Sequence, residues 1–364
     1  MSLTQYRSLG RSGLIVSPLA LGTMTFGMKE WGADKNQSWE IFKKYVEGGG
    51  NLIDTADIYS LGTSEEFVGE FIQQMKLRDQ IVLSTKFAFN GSYSPLSADH
   101  TLGNPNAGGA GAKNIHRALN ESLKRLKTDY IDLYWMHIWD GITPVEEIIQ
   151  TLQDLVTAGK IRYFALSDMP AWVAMKASTI AIERRRPQPI AMQFEYSLVA
   201  REIEREHIPV ALDSGMGVMP WSPLAGGFLT GKYKKSDTSK TGRLSGPNPF
   251  GDSKFTEQNW LILETLKKVA MEQNCTPSQA ALAWVINRPG VSSTIIGANK
   301  IDQLNNNLAA LDIQLSAGNR QLLDQVSSRS LGFTDLLTSP DIRQMVYGGN
   351  KVKSWSESLA DINK

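Results

Sequence analysis

A chain of 364 residues with 41% hydrophobic and 21% charged residues carries enough apolar material for a large core and is not globally disordered. Its net charge of +1 offers no footprint for nucleic acid or an acidic membrane, and its single cysteine, Cys275, excludes an intrachain disulfide and any thiolate-rich metal site, so no metal is expected. The N-terminal stretch lacks a basic segment followed by a long apolar one, and no apolar run approaches the ~20 residues of a membrane span; the expectation is a cytoplasmic protein without membrane partners.

In chain order, residues 5–17 (QYRSLGRSGLIVS) read as a hairpin turning at Gly10 to Gly13 and plugging the bottom of whatever follows. Short apolar runs then recur at 19–23, 51–56, 81–86, 130–137, 161–167, 190–196, 217–222 and 292–298. Each is too short for a helix and is bounded by Gly, Asn, Asp or Pro, as buried parallel strands are. Helical spacing fills the intervals. Phe67, Val68, Phe71, Ile72 and Met75 share one face, as do Ile115, Leu119, Leu123 and Leu126, and Thr143 with Pro144 reads as N-cap and first residue of a helix ending at Gly159. Eight alternating strands and helices predict a (β/α)₈ barrel spanning residues 1–364 as a single domain, with an insertion at 225–254 after the seventh strand and a further helix and tail after Ser316. The long connections at 90–112 and 225–254 read as lids.

Active sites of such barrels lie at the carboxyl ends of the strands. Those ends carry Asp54, Lys86, His137, Ser167 with Asp168, Gln193, Trp221 with Ser222, and Gly297. Asp54 and Lys86 end neighbouring strands and are expected to pair. Tyr59, just past Asp54, is expected to have its pKa drawn below ~10 by the lysine, toward a range useful for proton transfer. With His137 these form a proton-donating set. A separate signal is WSPLAGGFLTGKY from Trp221, which matches a triphosphate-binding G-x-x-x-x-G-K-[ST] loop except that Tyr233 stands where a Mg²⁺-binding hydroxyl belongs. In a barrel, Gly226, Gly227 and Lys232 read instead as a clasp for a pyrophosphate that needs no metal.

The segments IDTADIYSLGTSEEFVGE, STK at 84–86, DYIDLYWMH at 129–137, LSD at 166–168 and WSPLAGGFLTGKY together resemble the aldo-keto reductase superfamily, in the branch of aryl-alcohol dehydrogenases and potassium-channel β subunits. The likeness runs from about residue 5 to about residue 350. It implies NADPH-dependent reduction of an aldehyde or ketone, with Tyr59 as general acid, Lys86 lowering its pKa, Asp54 holding Lys86, and His137 orienting the carbonyl. It also leaves a second function open, a cofactor-sensing interaction subunit with negligible turnover, although the channel subunits carry asparagine where His137 stands.

No G-x-G-x-x-G follows a strand, so a Rossmann fingerprint is absent. The resemblance implies instead that Ser167, Asp168 and Gln193 bind the nicotinamide carboxamide and Trp221 stacks on the ring. Thr23, Met24, Asp54, Ser222, Pro223 and Leu224 would complete that seat, with Gln303, Asn306 and Asn307 at the adenosine end. Position 168 departs from the family, which usually has asparagine. Gly297 and the helix start after it suit a phosphate, Lys300 supplies charge for a 2′-phosphate, and Lys232 and Arg243 add to it, so NADP(H) is expected ahead of NAD(H). Phe26, Trp31, Phe87 and Trp139, with Tyr59 and His137, outline a pocket for an aromatic or hydrophobic carbonyl. A homo-oligomer is compatible with the sequence.

Overall fold

Why the apolar runs become strands is visible in their burial: nearly every residue in them is removed from solvent, as both faces of a parallel sheet must be when helices cover it. The computed structural model describes residues 2–29, 31–91, 103–236, 244 and 254–353. Its barrel strands are β3 (Leu19–Gly22), β4 (Leu52–Asp54), β5 (Val82–Phe87), β6 (Ile131–Met136), β7 (Ile161–Ser167), β8 (Ala191–Glu195), β9 (Gly217–Trp221) and β10 (Thr294–Ile296). They are ordered β10-β3-β4-β5-β6-β7-β8-β9 with every neighbouring pair parallel. A parallel bridge between Val218 and Val291 joins the two ends. This is the expected (β/α)₈ barrel.

Helices α1 (Lys35–Glu47), α2 (Thr63–Met75), α3 (Ala112–Leu126), α4 (Val145–Thr157), α5 (Ala171–Glu183) and α6 (His207–Ser214) follow successive strands, α7 (Glu257–Glu272) and α8 (Pro277–Ile286) both lie between β9 and β10, and α9 (Ile301–Leu308) and α10 (Ala317–Val326) follow β10. Their buried residues, among them Phe71, Ile115, Ile149 and Leu266, form the large core between helices and sheet. A second, smaller cluster fills the barrel itself: Ala20, Leu52, Val82, Leu133, Trp135, Ala165, Ala191, Met219 and Ile295. One start signal is displaced by a residue. Pro144, not Thr143, is the N-cap of α4, because the Thr143 hydroxyl and amide both bond to Asp140 in the preceding loop.

The N-terminal hairpin pairs β1 (Arg7–Ser8) with β2 (Ile15–Val16), and its fully buried Leu9 and Val16 join the interior cluster at the amino ends of the strands. Gly10 turns at φ +60°, and a Cβ there would stand 2.5 Å from the Gly217 nitrogen and 2.6 Å from the carbonyl oxygens of Gly215 and Ile190. No other residue fits so close an approach.

By packing, the chain separates into Met1–Ser327, which holds the barrel, and Ser328–Lys364. The second unit contains α11 (Phe333–Leu337) and α12 (Pro340–Val346), with Arg329 bonded through two nitrogens to Asp335 at 2.6 and 2.7 Å. Among the described residues no helix is long and apolar enough to cross a membrane. Parts of both expected lids, residues 92–102, 237–243 and 245–253, lie outside the described residues, and with them Arg243.

Candidate active site

Alternation along a strand decides which residues reach the barrel mouth. On β5, Ser84 and Lys86 face inward while Thr85 and Phe87 face the helices; on β6, Trp135 faces inward, and the same phase brings His137 to the mouth two residues on. Lys86 Nζ lies 2.5 Å from Asp54 Oδ2, 2.8 Å from the Thr55 carbonyl oxygen and 3.3 Å from the Tyr59 hydroxyl. Both ions of the pair are buried, at 0% and 2% exposure. The Tyr59 and His137 rings meet edge to face, with centroids 5.8 Å apart. The four candidate catalytic residues therefore form one contiguous cluster.

Tyr59 leaves β4 by an unusual route. Ser60, Leu61 and Gly62 follow it with φ of 49°, 53° and 96°, three left-handed residues in succession. Ser60 anchors the turn by donating to the Phe26 carbonyl at 2.9 Å. Such a backbone is costly for serine and leucine and is kept where surrounding structure over-determines it.

The electrostatics correct one expectation. The Tyr59 phenol is raised, not lowered, relative to an ordinary tyrosine: burial is the largest cause, and Asp54 adds to it against the downward pull of Lys86. Burial pushes Lys86 down, yet the charges of Asp54 and Tyr59 carry it net upward, so it stays an ammonium. His137 is held well below an ordinary histidine, first by burial and then by Lys86, and its buried Nδ1 has no hydrogen-bond partner among the described residues. A protonated phenol, a fixed ammonium and a neutral imidazole thus stand together.

Two further groups orient this cluster. Ser84 donates to Asp54 Oδ1 at 2.9 Å and accepts the Trp135 indole N–H at 2.7 Å. Phe89 packs edge-on against His137 at 4.9 Å. Counting two residues back from Lys86 and from His137 would have located Ser84 and Trp135 on the inward face.

Around the mouth, Trp221 Nε1 donates to Asp168 Oδ1 at 3.2 Å, the Ser167 hydroxyl to Asp168 Oδ2 at 3.1 Å, and Gln193 to Asp54 Oδ1 at 3.3 Å. These polar groups therefore converge beside the cluster. Thr23 is buried, its amide and hydroxyl both on the Asp54 carbonyl at 2.9 and 3.2 Å, and Met24 follows it at the same strand end. Ser222 accepts the Gly226 amide at 3.0 Å, Pro223 is buried, and Leu224 packs on the core and accepts the Gly227 amide at 3.0 Å. The amides of both glycines are thus satisfied within the turn. What remains for a phosphate here is the exposed Lys232, whose ammonium stands 3.0 Å from where a Gly227 Cβ would lie. Tyr233 is a core residue against Phe255, 5.4 Å between ring centroids, and no α-helix starts at Gly231, Lys232 or Tyr233, so the triphosphate-loop resemblance is local.

At the head of β10, Gly297 has open space where a Cβ would be, and Lys300 is exposed at the start of α9. Gln303 accepts the Asn299 amide at 3.0 Å, Asn306 accepts the Thr276 hydroxyl at 3.1 Å, and Asn307 donates to the Gly297 carbonyl at 3.3 Å. Asn299 reaches across to the Trp31 carbonyl at 2.9 Å, and Thr25 to that of Ala298 at 2.8 Å, so the loops after β10 and β3 form one rim. Among the described residues, the open space at Gly297 and the unpartnered Asn299 Oδ1 and His137 Nδ1 fit a polar ligand laid across this mouth.

Two expected pocket residues are not at the mouth. Phe26 is fully buried against Phe71, ring centroids 6.4 Å apart, and Phe87, outward on β5, is fully buried against Tyr134 at 5.0 Å. Both belong to the helix–sheet core. Trp139 donates to the Thr143 carbonyl at 3.1 Å and meets Trp172 edge to face at 5.3 Å, and Trp31 is partly exposed beside Asn299.

Comparison with known proteins agrees with this geometry. The Aldo/keto reductase family matches residues 18–328. A norsolorinic acid reductase of Aspergillus flavus is 34% identical over 91% of this chain and 83% of its own length. An aryl-alcohol dehydrogenase [NADP(+)] of Phanerodontia chrysosporium is 33% identical over 89% of this chain and 86% of its own. An uncharacterized oxidoreductase of Bacillus subtilis is 36% identical over 88% and 95%.

Proposed function

Because the chain belongs to the aldo/keto reductase family and is an NAD(P)H-dependent oxidoreductase acting on small carbonyl compounds, we propose that it reduces aromatic or hydrophobic aldehydes and ketones with NADPH, using Tyr59 as the acid. The observation that carries this reading is the buried Lys86 ammonium, bonded at once to Asp54 and to the Tyr59 hydroxyl beside His137. Bound reduced nicotinamide supplies the hydride. Tyr59, protonated through the neutral range, donates its proton to the carbonyl oxygen as negative charge grows there. Lys86 steadies the phenolate left behind, and Asp54, tied to Ser84 and Gln193, keeps the ammonium from moving. His137, a neutral imidazole, orients the carbonyl without competing as an acid. These groups are held before substrate arrives, so their stabilisation is realised mainly in the transition state.

Ser167, Asp168, Gln193 and Trp221 would hold the nicotinamide end, and Lys232, Gly297 and Lys300 the phosphates, with the two lysines favouring NADPH over NADH. Trp31, Phe89 and Trp139 line the substrate side. The name of the aryl-alcohol dehydrogenase relative supports an aromatic substrate.

Purified protein should quench NADPH fluorescence and oxidise NADPH with a nitrobenzaldehyde. Tyr59→Phe should retain cofactor quenching and lose ~10²–10⁴-fold in turnover, the range general acids supply. Turnover undiminished in that variant would remove Tyr59 from the mechanism. Cofactor binding with a single slow turnover and no steady state would mark a cofactor-sensing subunit instead.

A further inference from the structure

Asp168 follows the last residue of β7 with a left-handed backbone, φ 45°, a conformation that aspartate tolerates better than most residues. Both carboxylate oxygens are held there, Oδ1 by the Trp221 indole N–H at 3.2 Å and Oδ2 by the Ser167 hydroxyl at 3.1 Å. An asparagine could copy this only with the serine hydroxyl turned round to accept, and it would bring no charge. The ionisable groups facing Asp168 are Lys86 of β5, already paired with Asp54, Tyr59 from the turn after β4, and Glu195 of β8, paired with Lys254 at 3.1 Å. Among the described residues none forms an ion pair with Asp168 itself. Burial pushes its carboxyl up to about 6, against the pull of Trp221, Ser167 and Lys86.

A half-buried carboxylate with no ion-pair partner among the described residues is costly, and it is tied to the indole proposed to face the nicotinamide. That ring is a cation when oxidised and neutral when reduced. We propose that Asp168 sets the balance between the two redox forms of the cofactor, its carboxylate drawing in the cationic ring of NADP⁺ while giving NADPH no comparable gain. The proposal rests on the nicotinamide seat described above. Its chemical consequence is that hydride transfer toward alcohol becomes more favourable on the protein than in solution, at the cost of slower NADP⁺ release.

The test is equilibrium binding of NADP⁺ and NADPH, each titrated by tryptophan fluorescence into wild type, Asp168→Asn and Asp168→Ser at pH 5.5 and 8. The ratio of the two dissociation constants cancels the titration of the adenosine phosphate they share. The Asn variant should lose about tenfold in its preference for NADP⁺ over NADPH, whatever it loses in affinity for both, as expected for loss of one poorly screened charge contact. In wild type the preference for NADP⁺ should strengthen from pH 5.5 to 8 as Asp168 ionises, and in both variants it should be flat. The wild-type comparison tests the idea even if a variant folds poorly. Equal weakening of both forms in the Asn variant, or a wild-type ratio independent of pH, would overturn the role of Asp168 while leaving the seat intact. Failure of wild type to bind either form would overturn the seat as well.

Discussion

Cutting the Asp54–Lys86 pair from each side separately is the most direct perturbation of this site. At 2.5 Å the gross attraction is about 7 kcal/mol for an effective dielectric constant near 20, and dehydration of two fully buried ions cancels much of it. Asp54→Asn leaves the ammonium only neutral acceptors, such as the Thr55 carbonyl and the Tyr59 hydroxyl, and no counter-ion, a loss of about 3–5 kcal/mol by analogy with buried pairs broken on one side. Lys86→Met leaves a carboxylate still served by Ser84 and Gln193, so about 2–3 kcal/mol is expected. The double variant buries no charge, and its loss should fall short of the summed singles by about 2–3 kcal/mol. The assay is thermal unfolding of the four proteins without ligand. In Asp54→Asn the folded lysine should be depressed, which means stability absent at low pH and recovered as pH rises toward the ordinary lysine range; melting at pH 7 and pH 10 reads that sign. Strictly additive losses, or an Asp54→Asn variant indifferent to pH, would refute the reading of these residues as one energetic unit.

Because Tyr59 is raised by burial, the single-turnover rate of carbonyl reduction should hold through pH 9 and decline only above about 10; a fall centred near neutrality would assign the proton to another group. Asp57, whose buried Oδ1 has no partner among the described residues, is raised to about 7 by burial and then by Glu65, with Arg125 and Arg117 opposing. A raised folded carboxyl costs nothing well below pH 4 and progressively more as pH climbs to 7. The full shift is about 4 kcal/mol, halved for partial exposure, so Asp57→Asn should gain about 1 kcal/mol on wild type between pH 5.5 and 8 in paired melts. Leu9→Ala, which empties a fully buried position at the barrel floor, should cost about 2–5 kcal/mol in the same melts without moving KM.

Much of the fold was legible because buried parallel strands are written as continuous apolar runs, and IRYFALS at 161–167 was located to the residue. The polar residues at strand ends were legible for the same reason, since a core offers no other explanation for Asp54, Lys86 and His137. What sequence position could not convey is the side of the sheet. Phe87 adjoins Lys86 in the chain but faces the helices, and Phe26 reads as rim yet packs on Phe71. The sign of the Tyr59 shift was hidden too, because it depends on how deeply the phenol is buried and on the nearness of Asp54. Thr143 was misread because Asp140, three residues earlier, captures its hydroxyl and amide.

The hairpin at the barrel floor also bears on the order of assembly. Arg7 reaches the Ile286 carbonyl, 279 residues away, at 3.0 Å, the Gly10 amide meets Ser292, 282 residues on, at 3.3 Å, and Gly10 fits only against Gly217. The hairpin is thus made early in synthesis but cannot be seated until β9 and the segment leading into β10 exist. Until then its apolar residues, Leu9 and Val16 among them, remain a waiting hydrophobic surface. The stopper of the barrel closes last, and its docking is a long-range step on which cooperative folding of the whole barrel depends.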